Sequence, residues 1–157
     1  MNQLKNKINL PYEEVVRQSR NNNRVIVNAM FHDFSRNFNN SGRPIYFDSI
    51  PVDVGGGMRR TYFEVPHSGI YRFTFSATTG TFEHGLTVVT VKEGIDVFTG
   101  KVLEIRDGNK SSLSNNMSYT WMRSLQQGVQ VSFYVTENYL RTYWNIPITF
   151  TAELVAI

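Results

Sequence analysis

The sequence predicts an all-β domain, a β-sandwich, jelly roll or barrel of about nine or ten short strands. Aromatic residues, which favour strands, make up 13% of its 157 residues. The segment GIYRFTFSA (69–77) alternates aromatic with polar side chains, a period of two that buries one strand face. Clusters of Gly, Asn and Asp separate the apolar segments at short intervals, as turns do.

The strand segments follow one another from Val25 to the end of the chain, and no helical pattern or internal repeat interrupts them after residue 24. The segment VDVGGGMRR (52–60) holds three consecutive glycines and is interpreted as an exposed loop. The predicted strand segments are VIVNAMF, PIYFD, TYFEVP, GIYRFTFSA, LTVVTVK, IDVFTGKVLEI, MSYTWMRSL, VQVSFYV and ITFTAELVAI.

The alternation in GIYRFTFSA also assigns side chains to faces. Tyr71, Phe73 and Phe75 are predicted to fill the space between two sheets, where each buried ring removes about 150–250 Å² from water. Arg72 and Thr74 are predicted to lie on the opposite, exposed face.

The composition argues against catalysis. The chain contains no cysteine, which excludes disulfides, thiol nucleophiles and zinc–thiolate sites. Its three histidines form no pair at metal-binding spacing, and no GxSxG segment is present. The run 55–57 is not followed by the Lys-Ser/Thr and helix of a phosphate loop. We therefore predict that the protein is not an enzyme.

The formal net charge of +3 comes from the first part of the chain. Residues 1–43 carry seven Lys or Arg and three acids, whereas the rest carries nine basic and ten acidic residues. Without a concentrated basic patch, no nucleic-acid partner is predicted. No segment approaches the roughly 18 uninterrupted apolar residues of a membrane span, so none is predicted.

Residues 1–24 differ from the rest, being rich in Asn, Gln and Arg, and Pro11 would break a helix there. We interpret them as a short flexible arm or the remnant of a stalk, and residues 25–157 as the domain. The alternative is a stalk that helps to bring chains together. The start MNQLKNKINL lacks the apolar run of a secretory leader, so the chain either stays inside the cell or has had a leader removed.

One run of residues resembles a known family. RPIYFD, a glycine-containing loop and YFEVPHSGIYRFTF are similar to the signature of the complement C1q globular-head (C1q/TNF-like) family, from Val25 to Ile157. Three positions depart from its pattern: Arg123 stands where Leu is usual, Val129 where Asp is common, and Ala152 where Gly is usual. The residues that carry the resemblance are Ile45, Phe47, Asp48, Gly55, Phe63, Pro66, Gly69, Tyr71, Phe73 and Phe75, with weaker support from Leu125, Gly128, Val131 and the closing ITFTAELVA.

The resemblance implies a ten-stranded jelly-roll β-sandwich of the C1q/TNF type that forms a homotrimer. It implies a secreted, non-catalytic recognition module for a protein, glycan or other surface ligand. Two alternatives stay open: a structural trimeric head of a fibre, matrix or capsid assembly, and an intracellular regulatory domain.

Two groups of residues are candidates for ligand contact, because exposed aromatic and Arg side chains anchor interfaces. Arg59 and Arg60 lie beside the glycine loop. The second group, Tyr139, Arg141, Tyr143 and Trp144, precedes the last strand. Alternatively, Tyr143 and Trp144 cover the end of the barrel or a subunit interface.

No cofactor is predicted except, by the resemblance, calcium. Asp48, Asp53 and Asp107 are the candidate oxygen ligands, with Asn109 beside them. The alternative is that these residues only form turns.

Tyr119, Trp121 and Arg123 share one predicted strand face with the buried Leu125, and we predict that they lie at the trimer interface. A guanidinium on that face needs a partner. The strand ends before Arg123, or a bulge brings Met122 inward instead, or Arg123 pairs with a carboxylate or aromatic rings of a neighbouring chain.

Overall fold

The computed structural model describes residues 23–32, 37–39, 41–79, 87–94, 100–106, 115–137, 139–141 and 147–157. All regular secondary structure in these ranges is β-strand, so the predicted all-β class is confirmed. The same ranges contain no helix that is long and apolar enough to cross a membrane. The strands are β1 (Ile26–Phe31), β2 (Asn37–Asn39), β3 (Ser49–Val54), β4 (Phe63–Glu64), β5 (Gly69–Thr79), β6 (Val88–Gly94), β7 (Gly100–Arg106), β8 (Asn115–Leu125), β9 (Gln130–Glu137), β10 (Tyr139–Arg141) and β11 (Ile148–Ala156).

These strands form two antiparallel sheets. The seven-stranded sheet has the order β2-β10-β5-β11-β1-β3, and β8 pairs with the remaining edge of β5. The four-stranded sheet has the order β4-β9-β6-β7. Because neighbours in each sheet are mostly distant in sequence, the chain crosses repeatedly between the sheets, as in a jelly roll.

The core lies between the two sheets and is largely aromatic. Tyr71, Phe73 and Phe75 of β5 are completely buried, whereas Arg72 is exposed, as the alternation predicted. Phe150 of β11 stacks on Phe73 with ring centroids 5.8 Å apart. The phenylalanine rings are wholly apolar, and the Tyr71 hydroxyl donates to the His67 carbonyl, so the burial of these rings specifies the sandwich without requiring any ligand.

The segment PIYFD is not a strand, which corrects one predicted element. Its side chains alternate between half-buried and buried, but its backbone joins no regular ladder. The Ile45 N–H donates to the Phe133 carbonyl at 2.7 Å, and the Phe47 N–H donates to the Arg60 carbonyl at 2.7 Å. These bonds tie the segment to β9 and to the residues that follow the glycine turn. The three-residue strands β2 and β10 were not predicted.

The glycine segment is only partly the exposed loop that the sequence suggested. Residues up to Val54 belong to β3, and Gly55 and Gly56 then adopt positive φ angles of 100° and 76°. Gly57 is buried, and a Cβ on it would collide with the Glu64 carbonyl and lie 2.9 Å from the Phe63 ring. Gly57 therefore packs against β4, while Gly55 and Gly56 remain exposed.

Candidate functional site

The two arginines beside the glycine turn have different surroundings. The Arg59 guanidinium donates to the Gly56 carbonyl at 2.8 Å and to the Met58 carbonyl at 3.3 Å. It also lies 3.8 Å from the Glu64 carboxylate. Arg59 therefore fastens the turn. Arg60 is exposed, and its guanidinium lies 5.8 Å from the centroid of the Tyr46 ring.

Beside Tyr46 lies a surface cavity of about 360 Å³ that the sequence did not reveal; we call it the β2 cavity. Its apolar lining consists of Phe38, Pro44 and Tyr46, and its remaining described lining is polar. Phe38 and Tyr46 meet edge to face at 5.4 Å, and both rings pack on the buried Phe31. The walls therefore rest on the domain core.

The predicted group 139–144 is only partly described. Tyr139 and Arg141 belong to β10, which pairs with β2 through the registers Tyr139↔Asn39 and Arg141↔Asn37. This pairing places the β10 backbone at the end of the sheet where the β2 cavity lies. Tyr143 and Trp144 lie outside the described residues, and their predicted role stays a prediction.

The predicted interface residues of β8 lie where the sandwich is open along its edge. Trp121 packs on Phe73 with ring centroids 5.5 Å apart, and Tyr119 lies 5.9 Å from Trp121. Tyr119 lies on the same strand face as the buried Leu125, yet 44% of Tyr119 is exposed. The indole Nε1 of Trp121 is buried without a hydrogen-bond partner among the described residues.

Arg123 forms an ion pair within its own chain. Its Nε and Nη2 donate to the Glu93 carboxylate of β6 at 2.7–3.1 Å. These hydrogen bonds raise the pKa of Arg123. The strand continues to Leu125, and its register with β5 has no shift, so an early strand end and a bulge are both wrong. The third alternative paired Arg123 with a group of a neighbouring chain, whereas in the structure its carboxylate partner is Glu93 of the same chain.

The two described candidate calcium ligands, Asp48 and Asp53, form hydrogen bonds with different parts of the chain. Asp48 accepts the His32 N–H at 3.2 Å, and its Oδ1 lies 3.3 Å from Nδ1 of the His32 ring. Asp53 accepts the Met58 N–H at 3.3 Å, which holds the glycine turn. Asp107 lies outside the described residues. The described ranges contain no group of three or more His, Cys, Asp or Glu side chains suited to a metal ion.

The outer face of the seven-stranded sheet, turned away from the core, carries exposed apolar side chains. The register places Val52 and Val54 of β3, Ile70 of β5 and Met122 of β8 on this face, and Met122 is 54% exposed. A shallow cavity of about 320 Å³ lies between these strands, and Asn28 is part of its lining. The sequence did not predict this face.

Together, the two antiparallel sheets, the crossing connections and the aromatic core define a jelly-roll sandwich of the C1q/TNF type. The structure is similar to the globular domain of zebrafish complement 1qA, with a TM-score of 0.65 and 18% identity over 83% of this chain and 97% of that domain. It is also similar to the Eiger TNF of S. frugiperda, with a TM-score of 0.59 and 12% identity over 85% of this chain and 93% of that one.

Murine APRIL gives a similar result, with a TM-score of 0.59 and 10% identity over 82% of this chain and 98% of the other. No protein-family model and no curated protein sequence matches the chain. At these identities the likeness shows the fold alone, and the predicted C1q/TNF-like jelly roll is confirmed.

Proposed function

We propose that the protein is a non-catalytic, homotrimeric recognition module that works outside the cell. The observation that carries the proposal is the outer face of the seven-stranded sheet, which exposes apolar side chains on three strands. The extracellular setting and the trimer are supported by the resemblance to the C1q/TNF-like family. Between these apolar side chains the face carries polar ones, including the half-exposed Arg72 and Glu153, and a mixed surface of this kind is typical of a non-obligate interface.

A polar group on the same face supports contact with a second copy. The carboxamide oxygen of Asn28 is buried and has no hydrogen-bond partner among the described residues. A buried acceptor without a partner is costly, by about 1–3 kcal/mol. Asn28 also lines the shallow cavity of the outer face. A side chain from another copy that entered this cavity would fill it and lie beside Asn28.

The second contact surface is the open edge formed by β8, with the exposed ring of Tyr119. This edge and the outer face are different surfaces of one chain. A contact between different surfaces is heterologous, and it produces a closed ring when the rotation between subunits closes. Three copies, each placing its β8 edge on the outer face of the next, would bury both surfaces.

Light scattering at micromolar concentration should therefore give about three times the chain mass of 18.1 kDa. Met122→Glu places a charge on the outer face, and its burial would cost several kcal/mol, so this variant should scatter as a monomer. Gln127→Glu adds the same charge in the exposed turn after β8 and should remain trimeric. A monomeric wild-type protein at this concentration would contradict the proposal.

A ligand-binding experiment distinguishes a recognition function from a purely structural role. The wild-type trimer is to be tested on an array of glycans and extracellular proteins, and specific binding to any of them supports recognition. A trimer that binds nothing there would favour the structural head. Calcium binding by Asp48, Asp53 and Asp107 stays a prediction, which a rise in melting temperature on adding calcium to a chelator-treated sample would support.

A further inference from the structure

We infer that the β2 cavity binds an acidic sugar, a pyranose ring that carries a carboxylate or a sulfate. The inference rests on the proposed recognition function and adds the location and chemical class of the ligand. The cavity volume of about 360 Å³ lies within the roughly 300–1,000 Å³ of small-molecule sites. It therefore suits one or two sugar rings.

The apolar part of the cavity is suited to the face of a sugar ring. Phe38 and Tyr46 are half-buried, so their rings are held by the core while part of each surface stays accessible. Pro44 adds a third rigid apolar side chain. Side chains that are already fixed lose little conformational entropy when a ligand binds. This arrangement favours a flat, partly apolar ring over a flexible chain.

The charged groups of the cavity favour an anion. Arg43 lines it and is exposed, and its side chain forms no ion pair or hydrogen bond with any described residue. Arg60 borders it, with its guanidinium over the Tyr46 ring at 5.8 Å. No carboxylate belongs to the described lining. Guanidinium groups bind carboxylate and sulfate oxygens through paired hydrogen bonds, so the free Arg43 is suited to a ligand oxyanion.

The remaining polar lining favours a sugar over an acidic peptide. Asn39, Ser41 and Thr61 contribute short amide and hydroxyl side chains, which can donate and accept. A pyranose ring presents several hydroxyl groups around its edge and can use donors and acceptors together. An acidic peptide carries only acceptors on its side chains, and its backbone donors are spread along an extended chain instead of around one ring.

The inference is tested by calorimetric titration of the wild-type protein with a galacturonic-acid oligosaccharide and with a sulfated oligosaccharide of equal length. The methyl ester of the first is its matched neutral control, since it keeps the rings and removes the charge. The protein is to be made without N-glycans, because Asn39 begins the sequon Asn39-Asn40-Ser41 and lines the cavity. At least one anionic oligosaccharide should bind at least about tenfold more tightly than the neutral ester.

Arg43→Gln and Arg60→Gln should each weaken this binding by about tenfold, because each removes a charged hydrogen-bonding group. Arg24→Gln is the matched control: it changes the net charge equally but lies at the opposite end of β1, and should bind like wild type. Equal losses in all three variants would mean diffuse electrostatic attraction and would overturn the inference, as would tighter binding of an oligoglutamate peptide.

Binding of a neutral glycan or a protein on the array, with no affinity for either anionic oligosaccharide, would overturn the inference and leave the recognition function standing. Absence of every binding activity would reject both. The two oligosaccharides also separate the sources of the anion, because a carboxylated and a sulfated sugar are offered separately.

Discussion

Replacing Phe73 with alanine should lower the free energy of unfolding by about 3–5 kcal/mol. The ring is completely buried between the sheets and contacts Phe63, Trp121 and Phe150, with centroids 6.0, 5.5 and 5.8 Å away. These neighbours belong to both sheets, so they cannot close together around a missing ring without moving a strand. Removing the ring therefore loses its apolar burial and leaves a cavity. Urea unfolding measures the loss.

Arg72→Ala is the matched control on the next residue of the same strand. Arg72 lies on the outer face, where its guanidinium is 3.5 Å from the Glu153 carboxylate and both side chains are half exposed. An exposed pair of this kind contributes at most about 1 kcal/mol. Both substitutions are to be made in a Val54→Glu background, which charges the outer face on the distant strand β3, so that loss of assembly does not add to either value. Equal losses would show that the two faces of β5 are exchanged.

The fold class was predictable because the residue pattern of the long strand β5 indicates a sheet with one buried face. β5 alternates aromatic and polar residues over its length, and a period of two leaves only one arrangement of buried and exposed faces. The segment 44–48 has a similar pattern of burial but forms no strand. Its amides bond to two separate segments, at Phe133 and at Arg60, and not to one neighbouring strand. The three-residue strands β2 and β10 were missed because so short a segment has no measurable period.

The candidate site was less predictable because its residues come together only through the topology. Phe38 and Tyr46 meet around Phe31, although the three residues lie apart in the sequence. Arg60 was identified from its residue type beside the glycine turn, but nothing in the sequence indicated Tyr46 as its neighbour.

The partner of Arg123 did leave a signal. Glu93 continues the inward-facing series Val89 and Val91 of β6, and a carboxylate on a core-facing position needs a cation. Only the packing of one sheet on the other shows that this cation is Arg123, because β6 and β8 belong to different sheets.

Removing the Arg123 side chain should have the second large effect, with Arg123→Ala lowering the free energy of unfolding by about 2–3 kcal/mol. The Glu93 side chain is only 8% exposed, so without its partner it becomes a nearly buried, uncompensated carboxylate. Breaking a buried pair costs about 3–5 kcal/mol and an exposed one about 0.2–1 kcal/mol. This pair lies between these limits because 42% of the Arg123 side chain is exposed and water can replace part of it.

The asymmetric burial predicts an asymmetric response. In Glu93→Leu the buried carboxylate is gone, and the half-exposed Arg123 can extend into solvent, so the loss should be about 1 kcal/mol or less. Arg123→Leu places an apolar side chain beside the unpaired Glu93 and should be no better tolerated than Arg123→Ala. The combined Arg123→Leu/Glu93→Leu variant removes both charges and should regain most of the stability, because apolar residues replace such pairs at little cost.

Urea unfolding of the wild type, the two leucine variants and the combined variant forms a double-mutant cycle, again in the Val54→Glu background. A coupling free energy of at least about 1 kcal/mol is expected, since the two side chains join the two sheets directly. Equal losses in the single variants would contradict the predicted asymmetry, and a larger loss in Glu93→Leu would mean that Arg123 is the buried partner instead. Losses below about 0.5 kcal/mol in both would mean that the pair does not hold β6 to β8, and the open edge of the sandwich would then depend on Trp121 and Leu125 alone.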